Sequence, residues 1–74
     1  MNVIIIDDTP TAIDALKSKL EHFEDITVVA TASNGKDGIE AIKTHKPDLL
    51  FLDIELPDMT GIDFLGNMQQ QYSH

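Results

Sequence analysis

Leu49-Leu50-Phe51-Leu52 is apolar at every position and stops at a carboxylate, Asp53. Apolar residues of both parities predict a strand buried on both faces, as in parallel sheets, rather than one with a solvated side. Pro57 follows Asp53 by four residues and Gly61 by eight, so the chain turns before the next helical pattern begins. Near the N-terminus Val3-Ile4-Ile5-Ile6 has the same character and runs into Asp7-Asp8. Two buried strands that each end in acid constrain the fold more than any other feature of the chain.

Between them the periodicity alternates. Asn2 to Ile6 reads as a β-branched strand, and Asp7-Asp8-Thr9-Pro10 as a helix start, with Thr9 as cap and Pro10 at the first helical position. Ile13, Leu16, Leu20 and Phe23 then form one apolar helix face, opposite Asp14, Lys17, Lys19 and Glu21. Ile26 to Ala32 alternates imperfectly, as a strand with one less buried face does. Ser33-Asn34-Gly35 signals a turn and cap, and the helix beyond carries Ile39 and Ile42 and ends near Lys43–His45. Gly61 opens a last helix with Leu65, Met68 and Tyr72 on its apolar face. The polar tail from Gln69 to His74 is expected to fray.

The order is therefore β-α-β-α-β-α, which predicts a parallel α/β sheet. With right-handed crossovers and strand order 2-1-3, the first helix covers one face and the second and third cover the other. A topological switch point then falls between strands 1 and 3, where such sheets bind ligands beyond the strands' C-terminal ends. Asp7, Asp8 and Asp53 all sit there.

Seventy-four residues allow one small domain, which buries only about 60% of its unfolded surface or slightly more. The absence of cysteine excludes disulfides and thiolate metal sites and fits a reducing cytoplasm. No apolar run is long enough to span a membrane, and no secretory signal is visible. A net charge of −8 argues against direct contact with nucleic acid. It suits a cation or a basic protein surface.

Three carboxylates in one crevice repel one another unless a cation joins them. All the donors are oxygens, so the ion expected is hard: Mg²⁺ first, Mn²⁺ second. An Asp carboxylate is also a nucleophile that can become an aspartyl phosphate. Taken alone, Asp7-Asp8 reads as simply as negative charge at a helix N-terminus. His22, His45 and His74 show no ligand spacing, and neither a P-loop nor a G-x-G-x-x-G follows the first strand.

Three pieces together resemble the receiver domains of two-component response regulators. They are Val3-Ile4-Ile5-Ile6-Asp7-Asp8-x-Pro10, then Ala32-Ser33-Asn34-Gly35 entering a helix, and Asp53-x-x-x-Pro57-x-x-x-Gly61. The resemblance spans nearly the whole chain and implies a flavodoxin-like fold. It also implies Asp53 as phosphoacceptor, Asp7 and Asp8 as the Mg²⁺-binding pair, and the Glu55 backbone carbonyl as a further ligand. A sensor histidine kinase is the implied partner, and a signalling module rather than an enzyme the implied role. Ile54-Glu55 and the run Asn34–Ile39 look most like receivers attached to LytTR-type DNA-binding domains.

Receivers resemble one another over about five β-α units, and residues 1–74 account for three. They are thus expected to form a partial receiver domain. The family's Thr or Ser after strand 4 and Lys after strand 5 have no counterpart, and no Lys or Arg follows Lys46. Phosphotransfer is therefore expected to be impaired. The alternative is an interaction or decoy fragment that binds a partner without completing the chemistry. An aspartyl-phosphate phosphatase fits less well, since those enzymes look like Asp-x-Asp-x-Thr where this chain has Asp53-Ile54-Glu55-Leu56-Pro57. Order 2-1-3 also leaves Leu49–Leu52 on an edge without Lys, Pro or a bulge, which predicts a homo-oligomer, most simply a dimer through the third strand.

Overall fold

Val3, Ile4, Ile5 and Ile6 are all but inaccessible to solvent, because the strand they form is covered on both faces and paired on both edges. In the computed structural model, which describes Met1–Tyr72 (side chains to Gln69), this strand β1 (Asn2–Ile6) is the centre of a parallel sheet. Strand β2 (Thr27–Ala32) lies on one side and β3 (Leu49–Leu52) on the other, in the expected order 2-1-3. Helix α1 (Pro10–Leu20) packs Ile13, Leu16 and Leu20 on Val3, Ile5, Val28 and Phe51. The opposite face of the sheet presents Ile4, Ile6, Ala32, Leu50 and Leu52 to helices α2 (Gly35–His45) and α3 (Gly61–Tyr72), through Ile39, Ile42 and Phe64.

The imperfect alternation of the second strand has a local cause. Register slips between β1 and β2, so that Val3 faces Val28 while Ile4 faces Ala30. Ile26 and Val28 pack on the α1 side, and Ala30 and Ala32 on the other. One extra residue exchanges the two parities, as a bulge does.

Four expectations need correction. Thr9 occupies the N-cap of α1 with extended backbone, but its side chain makes no capping bond. Its hydroxyl instead donates to Asp8 Oδ1 at 3.4 Å. Phe23 is 55% exposed, because α1 stops at Leu20 and the chain turns away with the Phe23 N–H bonded to the Leu20 carbonyl. The β3 strand is covered on both faces only in part: Leu49 is 40% exposed and Leu50, Phe51 and Leu52 are half-buried, since the strand stands at the edge of the sheet. On α3 the inward residue is Phe64, fully buried, with Met68 half-buried below it, while Leu65 is 58% exposed. The side chain of Tyr72 and the fraying of the tail lie outside the described residues.

Asn34 does cap α2, accepting the Asp37 N–H through Oδ1 at 2.8 Å. Lys46 closes that helix in the left-handed region at φ 46°, and Pro47 prevents its continuation. No described helix is long and apolar enough to cross a membrane.

Candidate functional site

The sheet delivers the acids. Ladder hydrogen bonding continues one residue past each strand: the Asp7 N–H bonds to the Ala32 carbonyl at 3.0 Å and the Asp53 N–H to the Ile6 carbonyl at 2.9 Å. Both Cα positions are thereby fixed at the C-terminal edge between β1 and β3. Asp8, one residue further, begins the turn into α1. One carboxylate oxygen from each of Asp7, Asp8 and Asp53 lies within 4.8 Å of the other two. The three acids that sequence reasoning singled out are thus brought together.

Asp7 and Asp53 are half-buried and Asp8 is exposed. Asp7 Oδ1 accepts the Thr9 N–H at 3.0 Å, and Asp53 Oδ1 accepts the Glu55 N–H at 3.3 Å. Each half-buried acid therefore has one oxygen oriented by backbone, which leaves its other oxygen for a ligand. Among the described residues the one ion pair is Lys43–Glu40 on the outside of α2, so no basic side chain neutralises the cluster. Asp8, Asp53, Ile54, Glu55, Leu56 and Pro57 line an open polar depression beside it. Glu55 thus borders the site, with its carboxylate outside the three-acid group. An all-oxygen donor set with converging negative charge fits Mg²⁺.

Sequence reasoning missed Asp58. Its carboxylate reaches across to the start of α2, accepting the Gly35 N–H at 2.7 Å and the Lys36 N–H at 2.9 Å. These two backbone donors hold its pKa below the ordinary carboxylate value. Beside a proline, Asp58 reads as a turn residue, and nothing local marks a partner more than twenty residues earlier.

The profile of the response regulator receiver domain matches residues 3–74. The chain belongs to the receiver family. Among curated relatives, this receiver is 42% identical over 71 residues to a protein-glutamate methylesterase/protein-glutamine glutaminase of Oleidesulfovibrio alaskensis, covering 96% of the chain and 19% of that protein. It is 36% identical over 72 residues to the transcriptional regulatory protein BtsR of Escherichia coli K12, covering 97% of the chain and 30% of BtsR. Among solved structures, the response regulator domain of Thermotoga maritima CheB superposes with a TM-score of 0.90 at 29% identity, over 97% of this chain and 54% of that one. A chain of the CheX–CheY–BeF3–Mg²⁺ complex from Borrelia burgdorferi gives 0.85 at 29% identity, over 100% and 56%. The receiver described here thus spans about half of each of these two solved chains, and a smaller share of the two curated relatives. The flavodoxin-like arrangement expected from the sequence is the one these neighbours share.

Proposed function

We propose that residues 1–74 act as one receiver unit, a partial receiver domain that accepts phosphoryl groups on Asp53 from a sensor histidine kinase in the cytoplasm. The observation that carries this reading is the convergence of Asp7, Asp8 and Asp53 at the β1–β3 switch point. Asp7, Asp8 and Asp53, with the Glu55 backbone carbonyl, are the groups to hold Mg²⁺. When bound, that ion supplies positive charge against the oxygens of the transferring phosphoryl group.

One oxygen of the Asp53 carboxylate faces the ion, and the other is the nucleophile. It attacks phosphorus; the P–O bond forms as the P–N bond to the kinase histidine breaks, and the imidazole leaves with the electron pair and takes up a proton. No Lys or Arg follows Lys46 in these 74 residues, so the transferred oxygens meet no local cation from α3. Each absent donor typically costs about 10²–10³ in rate, so transfer onto this chain alone is expected to be slow. The relatives' names divide between a methylesterase/glutaminase and a transcriptional regulator, which fits a receiver that serves different outputs. Control of transcription through a LytTR-type DNA-binding domain is the output favoured by the residues around Asp53 and Asn34.

The ion site is tested by melting. A ligand that binds only the folded state raises the melting temperature with its concentration. Millimolar Mg²⁺ is expected to raise the melt of the wild type and to leave Asp8→Ala nearly unmoved. Equal shifts in the two proteins would remove Asp8 from the site.

A second copy of the chain is the proposed partner at the free edge of β3. Its outer backbone groups are unpaired by β1, and Leu49 stands half in water. Two-fold pairing of β3 with itself is antiparallel and would double the three-stranded sheet. The charge of −8 on each copy opposes this, so association is expected to strengthen with salt. Light scattering at micromolar concentration should give a dimer that Leu49→Lys converts to monomer; a monomer at every salt concentration would rule it out.

A further inference from the structure

The segment after Asp53 is a small hairpin rather than a loose loop. The Gly61 N–H bonds to the Ile54 carbonyl and the Leu56 N–H to the Met59 carbonyl, and Glu55 and Thr60 form an isolated antiparallel bridge. One end of this hairpin is fixed by Asp53 at the end of β3. The other end, Pro57-Asp58, lands on α2. There Asp58 engages two backbone N–H groups, one with each carboxylate oxygen. Met59 covers Gly35 so closely that a Cβ at that position would lie 2.5 Å from the Met59 Cγ and Sδ. Leu56, between the two ends, is buried in the core.

Helix α2 does not depend on Asp58 for its principal cap. Asn34 already takes the Asp37 N–H, one of the donors that a helix start leaves open. What the bonds from Asp58 add is a fixed distance between α2 and the hairpin. Glu55 sits within that span, beside Asp53 and two residues before the tip begins.

We propose that Asp58 is a positioning residue for the acidic crevice: by clamping the hairpin tip to the first turn of α2, it sets the orientation of the Glu55 backbone and thus the affinity for a divalent cation. This deepens, and rests on, the reading of Asp7, Asp8 and Asp53 as an Mg²⁺-dependent phosphoacceptor site. A purely structural role would lower the melting temperature and leave cation affinity unchanged.

The test is an Mg²⁺ titration of isotope-labelled protein, followed at the amides of Asp8, Asp53 and Glu55. It compares wild type, Asp8→Ala, Asp58→Ala and Asp58→Glu well below their melts. Asp58→Ala is expected to weaken binding about 3–10-fold, less than the 10–100-fold typical when a direct hydrogen-bond partner of a metal ligand is lost. Asp58→Glu should recover part of this as its Gly35 and Lys36 amides return toward wild-type shifts. Coupling is reciprocal, so saturating Mg²⁺ should slow amide exchange at Gly35 and Lys36 of the wild type by up to the same factor. This arm decides alone if Asp58→Ala does not fold. A folded Asp58→Ala that has released both amides yet binds Mg²⁺ as tightly as wild type overturns the proposal, as does wild-type exchange indifferent to Mg²⁺. A wild type with no saturable binding that depends on Asp8 overturns the phosphoacceptor reading itself, and this proposal with it.

Discussion

Phe64→Ala is expected to remove a large fraction of the protein's stability, whereas Leu65→Ala should barely change it. Phe64 is fully buried where α3 meets α2 and the sheet, close enough that a Cβ on Gly38 would lie 3.2 Å from its ring. Truncating a buried Phe costs about 3–5 kcal/mol, through lost transfer energy and the cavity left behind. At roughly 0.05–0.15 kcal/mol per residue, a domain of this size has only about 4–11 kcal/mol in total. The loss therefore takes a large fraction of the stability. Leu65, one residue on, points mostly into water, and such positions usually change stability by less than about 0.5 kcal/mol. Urea denaturation of both variants checks the pair. If Leu65→Ala is the one that unfolds, the face of α3 turned to the core is not the one described.

Asp53→Asn should abolish phosphoryl uptake and, without added cation, melt a few degrees higher than the wild type. The first effect follows because an amide oxygen is a poor nucleophile where a carboxylate is a good one. The second follows from the crowding of Asp7, Asp8 and Asp53, with no basic side chain among the described residues to pair them. Removing one of three converging charges relieves their mutual repulsion. With saturating Mg²⁺ the order of melting should narrow or reverse, because the wild type gains more from the ion than the variant does. A variant that melts below wild type without cation would show that the acids do not repel appreciably in the folded protein.

The sheet and its three acids were legible because few physical rules decide them. Two strands apolar at both parities must be covered twice, right-handed crossovers then order them, and an acid ending each strand falls at the same edge. The details that were not legible depend on contacts between elements. Phe64 and Leu65 both make helical spacings with Met68, so periodicity alone cannot tell which one turns inward; the packing against Gly38 does. Phe23 continues the apolar face of α1 in sequence, yet the helix ends three residues before it. The slip at Val28–Ala30 is set by pairing with β1, which a single strand cannot reveal. Asp58 was passed over for the same reason, since its partners are backbone groups of a distant helix start and carry no side-chain signature.

The proposed role of Asp53 is to accept a phosphoryl group in an ion-dependent crevice. The most direct measurement is intact mass followed by peptide mapping, after prolonged incubation of the protein with a small acyl phosphate, with Mg²⁺ and with chelator. The expected result is slow addition of one phosphoryl group, mapped to Asp53, in the Mg²⁺ sample alone. Addition at another residue, equal addition with chelator, or none at all while Mg²⁺ demonstrably binds would contradict the account.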